Sequence, residues 1–336
     1  MDRRKFVKTG MAGLTLIGTG MLNISCSSSD DENENNNGNG GDDNGKNGGN
    51  ETIKLGDKVQ LGETGLTVPI MAMGTGTSGW GGSSNQTRMG MDKFVSLTKN
   101  AYEREMRFYD MAEAYGSHRF VGEAIKGMPR EELTLLTKIT STKGLSASDT
   151  RSRIDNFRRE VGTDYFDIIL MHYMTSGGWA SSRQGAMEGL VRLKEEGIVK
   201  AVGISAHSLD ALREAAESPW VDVILARINP FQSNMDGTPD SIKEVLGTAR
   251  RNGKGVIGMK IFGEGSRVKD EEREQSLRFA LTESNIHCMT IGFETIAQMN
   301  DAIARVVRIR KEITDRSHLD FCFLLIFLKI IIINAI

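Results

Sequence analysis

The chain is poor in cysteine and proline and carries no surplus of positive charge. Its three cysteines, Cys26, Cys288 and Cys322, are far apart, which argues against a disulfide framework or a cysteine metal cluster. The formal net charge over 336 residues is −2, so nothing marks nucleic acid as a partner. Prolines number only 5 beside 38 glycines, but many of those glycines crowd one low-complexity tract, so the mean composition misrepresents the rest. The length allows two domains, although barrels of about 250 residues are routinely one.

What is present begins with a targeting-type segment, residues 1–26, which is set apart from the fold. Arg3, Arg4 and Lys5 precede Phe6, Val7 and Lys8, and an apolar stretch of small residues runs from Met11 to Ile24. The twin arginines with Phe6 and a nearby lysine resemble a Tat signal. Cys26 directly after the apolar stretch resembles a lipobox cysteine, which would be lipidated after cleavage; Asn23 stands where leucine is usual. The alternative is an uncleaved anchor, for which the run is short against a span of about 20 residues. Residues 27–52 are Ser, Asp, Glu, Asn and Gly with almost nothing apolar to bury, which predicts a disordered acidic tether. Acidic residues just after Cys26 resemble the surface-export signals of lipoproteins. The expectation is an exported protein, periplasmic or an outer-membrane or surface lipoprotein, touching membrane through its lipid anchor only. A Tat-like route, which moves folded proteins, favours a domain that loads a soluble cofactor first.

Residues 53–316 have a globular pattern. Lys58–Leu61, a turn at Glu63, Thr64 and Gly65, and Leu66–Val68 predict a β-hairpin. Eight strand-like runs follow: Ile70–Gly74, Phe108–Asp110, Leu133–Thr137, Ile168–His172, Ala201–Ser205, Val223–Arg227, Gly255–Lys260 and Cys288–Ile291. Amphipathic segments of helical length alternate with them. This alternation argues an α/β fold, a (β/α)8 TIM barrel with an N-terminal β-hairpin. The competing architecture is an open doubly wound sheet, but MAMGTGTSGWGG at the first strand forms no strand–GxGxxG–helix unit.

In such a barrel the reactive groups belong at the carboxyl ends of strands. Asp110 ends the second strand with Tyr115 in its loop, Lys138 follows the third, His172 ends the fourth, Ser205 the fifth and Lys260 the seventh. Singly, a strand-end histidine is as often a structural group, and a strand-end lysine is usually solvated. Together, Asp, Tyr, Lys and His on three consecutive strands fit an acid–base site. A phenol with a pKa of about 10 donates poorly near neutrality. A neighbouring ammonium is expected to lower that pKa, with a carboxylate holding the ammonium. Imidazole can orient a carbonyl, and the phenol can protonate it as hydride arrives. No side chain carries hydride, which implies a nicotinamide cofactor.

These motifs resemble the aldo-keto reductase family from about Val59 to Val307. LGETGLTVPIMAMGTG resembles its opening hairpin and first strand; YDMAEAYGSHRFVGEAI, LLTKIT and LMHY resemble the segments carrying its acid, tyrosine, lysine and histidine; VGISAH resembles the segment near the nicotinamide. The resemblance implies Asp110, Tyr115, Lys138 and His172 as catalytic residues. It implies Ser205, Met259, Lys260, Phe262, Gly292 and Glu294 as the cofactor-binding set, with NAD(P)H as cofactor and no metal.

The chain departs from the family pattern in three places. Ala206 replaces the usual asparagine, Leu225 the usual glutamine, and Met259 the usual stacking tyrosine. Arg227 or Asn229 is the candidate replacement for the lost amide grip. TIGFETIAQMND is acidic where a lysine or arginine would bind the adenosine 2′-phosphate, so Glu294 favours NAD(H) over NADP(H). Alternatively Glu294 is simply an acid at a helix N-terminus.

Residues 317–336 turn strongly apolar, with Phe321–Ile336 reading FCFLLIFLKIIIINAI. A final buried element, a short membrane segment or a non-native tail such as a frameshift produces would each fit, and the last is expected because the preceding helix already completes a barrel. The functional expectation is an oxidoreductase moving hydride between a nicotinamide cofactor and a carbonyl or alcohol, acting on a small carbonyl or sugar as a monomer. The alternative is a non-catalytic nicotinamide-binding module of the same fold. A barrel hydrolase would need paired rim carboxylates, and only Asp110 is convincing.

Overall fold

In the computed structural model the described residues are 53–334, with side chains described to 316. Cys26 and the segments 1–26 and 27–52 lie outside them. Strands β1 (Lys58–Gln60) and β2 (Thr67–Pro69) pair antiparallel as the expected hairpin. Eight parallel strands then close a barrel: β3 (Met71–Gly74), β4 (Phe108–Asp110), β5 (Thr134–Ile139), β6 (Phe166–Met174), β7 (Val199–Ala206), β8 (Val223–Arg227), β9 (Gly255–Met259) and β10 (Cys288–Gly292), with β10 pairing to both β9 and β3. The barrel is therefore closed, not an open sheet.

Helices follow where apolar spacing and caps coincide. In α4 (Ala147–Val161) Thr150, Ile154, Phe157 and Val161 form one buried stripe; Ser146 caps the start and Gly162 ends it at φ 72°, a left-handed position that glycine adopts without strain. In α7 (Pro239–Arg251) Thr238 caps, Pro239 occupies the first turn, and Ile242, Val245, Leu246 and Ala249 are buried. The remaining helices are α1 (Asn85–Arg88), α2 (Met91–Glu103), α3 (His118–Ala124), α5 (Gln184–Glu195), α6 (Leu209–Glu217), α8 (Asp270–Thr282) and α9 (Ile296–Asn334). The backbone of α9 runs helically past the boundary expected at residue 316.

The strands alternate faces, and this alternation positions everything that follows. One set of side chains packs outward against the helices. The other fills the barrel interior: Ala72, Phe108, Leu136, Ile168, Leu170, Val223, Leu225 and Ile257 are each at most 1% exposed. Apart from Ala72, each such side chain contributes roughly 1.5–3 kcal/mol by burial. Leu61 and Val68 of the hairpin join this interior cluster and plug the amino-terminal end. Glu63 N donates to Gly253 O at 2.8 Å, which ties the plug to the α7–β9 turn.

Candidate active site

At the open end the interior columns finish in a polar residue or a glycine, except on β9, where Ile257 is followed by Met259. Phe108 is followed two positions on by Asp110, Leu136 by Lys138, Leu170 by His172, Gly203 by Ser205 and His207, Leu225 by Arg227, and Cys288 by Thr290 and Gly292. In the register Asp110 pairs with Leu136 and Lys138 with Leu170, so the acid, lysine and histidine rise in steps around the rim. Strand β5 extends two residues past Thr137, which places Lys138 inside the strand.

Lys138 is wholly buried and forms an ion pair with Asp110, itself 6% exposed. Its ammonium also donates to Met111 O at 2.9 Å and to Tyr115 Oη at 3.5 Å, which employs all three donors. Burial lowers the Lys138 pKa, while the charge and hydrogen bond of Asp110 act the other way. Tyr115 Oη lies 3.5 Å from His172 Nε2, and the two rings meet edge to face at 89°. Burial, then Lys138, then Lys260 push the His172 pKa down to about 3, so the imidazole is neutral at ordinary pH.

The phenol is the exception to expectation. Tyr115 stands well above the usual tyrosine pKa, because burial dominates and Asp110 and Glu264 add negative charge. The expected depression by Lys138 is absent, since that ammonium is already matched by Asp110 in contact with it. Tyr115 is therefore a neutral proton donor in this state.

Its position is fixed by glycines that sequence reasoning passed over. Tyr115 ends a 3-10 turn, Glu113–Tyr115, that closes on Gly116 at φ 64°. Glu113 anchors the turn by accepting from Thr140 N at 2.9 Å. A Cβ at Gly76 would lie 2.2 Å from the phenol ring, and one at Gly79 would lie 2.6 Å from it. The loop after β3 thus closes on the ring as only glycine permits.

Asp110, Tyr115 and His172 open into a cavity of about 480 Å³, with Lys138 buried behind them. It runs from Trp80 and Tyr173 past the tetrad to Glu294, Gln298 and Asp301 beside α9. Of the expected cofactor set, Met259, Lys260, Phe262, Gly292 and Glu294 line it. Ser205 does not: it is fully buried and bonded at 2.9 Å to His207 Nε2, and His207 is what lines the wall. Of the two candidate replacements for the amide grip, Arg227 lines the cavity. Asn229 is consumed locally, donating to Ser233 O and Lys260 O at 2.8 and 3.0 Å and accepting from Phe231 N and Ser233 N. Glu294 is exposed and accepts from Asn85 Nδ2 at 2.7 Å.

The wall has room and unmet polarity for an elongated cofactor. Thr290 lines it with a buried Oγ1 that has no partner, and Met259 and Phe262 supply apolar surface. Lys260 and Arg273 are the cations that could meet a diphosphate, each already beside a carboxylate: Glu264 at 2.5 Å and Asp270 at 3.1 Å. These residues fit a nicotinamide dinucleotide. Among the described residues no three His, Cys, Asp or Glu side chains are grouped to hold a metal.

Comparison with known proteins agrees with this fold. A model of the Aldo/keto reductase family matches residues 71–319. The chain is 26% identical over 211 residues to methylglyoxal reductase DkgB of Salmonella typhi, covering 61% of this chain and 71% of that protein. It is 26% identical over 218 residues to the NADH-specific methylglyoxal reductase of Escherichia coli, covering 58% and 64% respectively. In fold it is similar to a solved aldo-keto reductase from Bacillus halodurans, with a TM-score of 0.59, 17% identity, and coverage of 76% of this chain and 91% of that one.

Proposed function

The chain belongs to the aldo/keto reductase family, and from that premise we propose that it interconverts a small carbonyl compound or sugar and its alcohol, with Tyr115 as general acid and base. The observation that carries this reading is the closed contact set in which Asp110, Tyr115 and His172 line the cavity and Lys138 is buried beneath them. A bound nicotinamide dinucleotide supplies or accepts the hydride.

In the reducing direction, the neutral His172 imidazole and the Tyr115 hydroxyl converge on one carbonyl oxygen and orient it. As the carbonyl carbon gains the hydride, its oxygen takes the phenol proton and leaves as the alcohol hydroxyl. The phenolate left on Tyr115 faces the Lys138 ammonium at 3.5 Å, which stabilises it until solvent restores the proton. Asp110 keeps Lys138 charged despite burial.

Glu294 and Asp301 on the cavity wall favour ribose hydroxyls over a 2′-phosphate, so NAD(H) is the proposed cofactor. The segment 1–26 supports export with Cys26 as a lipid anchor; membrane-fraction recovery lost in Cys26→Ala tests it. The central experiment assays the chain with NADH and NADPH against a panel of carbonyls. Tyr115→Phe should lower kcat by about 100-fold or more while the dinucleotide still binds. Wild-type turnover by that variant would refute the assignment, and tighter NADPH than NADH binding would refute the cofactor preference.

A further inference from the structure

The cavity wall opposite the tetrad holds a cation whose donors are mostly unmet. Arg227 ends the interior column of β8 and lines the cavity. A guanidinium carries five N–H donors. Among the described residues it makes one hydrogen bond, from its Nη2 to His207 Nδ1. Its Nε is buried without a partner. The carboxylate of Asp236 stands 3.6 Å from Nη1, outside hydrogen-bond reach. Burial raises the Asp236 pKa and Arg227 only partly opposes this.

His207 links this cation to the reacting end. Because its Nδ1 accepts from Arg227, its proton sits on Nε2 and is given to Ser205 Oγ at 2.9 Å. Burial and then Arg227 keep the imidazole uncharged. Its ring centroid is 6.1 Å from that of His172. A carbonyl held at Tyr115 and His172 therefore has a half-buried guanidinium one imidazole away, at the end of β8. Unmet guanidinium donors are met best by a planar oxyanion, which can take two of them at once.

We propose that Arg227, positioned by His207 and Asp236, binds the carboxylate of an oxo acid or sugar acid whose carbonyl lies at the tetrad. The proposal rests on the reductase reading and names the substrate class of that site: an anionic carbonyl compound, preferred over its neutral counterpart.

Two arms on the full chain test it. Calorimetric titration in the presence of NADH compares butyrate with butyramide, which differ in charge and match in size. Kinetics with NADH compare 4-oxobutanoate with butanal. Butyrate should bind and butyramide should not, and kcat/KM should favour 4-oxobutanoate about ten-fold or more, mainly through KM. In Arg227→Gln the butyrate heat and the preference should both collapse. Arg227→Lys retains charge opposite Asp236 and guards against a folding defect; it should keep part of the preference, because it lacks the planar fork.

Equal binding of butyrate by wild type and Arg227→Gln would overturn the proposal, as would turnover of butanal with no preference for the acid. Binding of inorganic phosphate in place of butyrate would also overturn it, by assigning Arg227 to phosphoryl groups. Arg227-dependent butyrate binding without turnover of either aldehyde would instead sink the reductase reading and leave the carboxylate site standing.

Discussion

The two walls of the cavity are built on opposite plans. On the β4–β6 side, Lys138 spends its three donors on Asp110, Met111 O and Tyr115, and the Tyr115 ring is confined by Gly76 and Gly79. On the β7–β10 side, Arg227 Nε and Thr290 Oγ1 are buried without partners. On the first side His172 Nδ1 is left in the same condition. Groups that move a proton need a geometry fixed before substrate arrives, and satisfied hydrogen bonds fix it. Groups that bind a ligand must keep donors in reserve for it, at a cost in stability of about 1–3 kcal/mol per unmet buried group. On the proposed function, the contrast separates chemistry from recognition within one rim.

The sharpest way to break this contrast is to open the closed wall. Lys138→Met leaves Asp110 buried without its partner and should cost about 3–5 kcal/mol in urea denaturation, together with nearly all turnover. If stability were unchanged, the ion pair would not be the centre of that wall. A smaller effect is expected from crowding the phenol. Gly76→Ala places a methyl 2.2 Å from the ring and should lower kcat about 100-fold by displacing it, with a stability loss of at most about 3 kcal/mol. An unchanged kcat would show that the loop is not what aims Tyr115.

The third test uses pH. His172 has a folded pKa of about 3, below the ordinary value near 6.5 in an unfolded chain. The unfolded chain therefore binds that proton first. The stability owed to the neutral imidazole is complete above about pH 6.5 and is lost progressively as pH falls towards 3. Denaturation midpoints should fall more steeply across that window in wild type than in His172→Gln. In the same range kcat/KM should show no imidazole step near 6.5, and a step there would mean that His172 is solvated and the wall less closed than its burial indicates. The smallest effect is reserved for the open wall. Glu294→Gln should narrow the gap between NADH and NADPH affinity only a few-fold, because the residue is exposed and already engaged by Asn85.

The strand ends of the sequence go far towards this picture. Short β-branched runs between helical segments imply the closed eight-stranded barrel, and the residues two positions beyond an interior apolar side chain include the polar rim: Asp110 after Phe108, Lys138 after Leu136, His172 after Leu170. The same alternation leads to Arg227, already a candidate at the end of its strand, and to His207, which was obscured because β7 runs on to Ala206 and Ser205 looks like the strand's last polar group. Gly76 and Gly79 carry no local signal, since their need is a close approach by a ring some forty positions away. Asn229 misleads for the opposite reason: it has the right chemistry and place, but a local turn uses every hydrogen-bonding group it has. The phenol's raised pKa could not be read either, because it depends first on how completely the fold buries the ring and then on the charges of Asp110 and Glu264.

The seam between β3 and β10 has one more consequence, and it concerns time. The four side chains proposed as catalytic fall within residues 110–172. The groups that close the top of the barrel reach across far more chain: Asn85 to Glu294 spans 209 residues, and Gln86 to Phe293 O spans 207. Bonds at such separations carry the largest loop-closure entropy, so the chain gains them after local pairing has formed. During synthesis, the amino-terminal half can bring acid, lysine, tyrosine and histidine together while the last strand is still unmade. On this ordering the Asn85–Glu294 bond is expected among the last to form, and a barrel halted before it should hold the four side chains without walls around them.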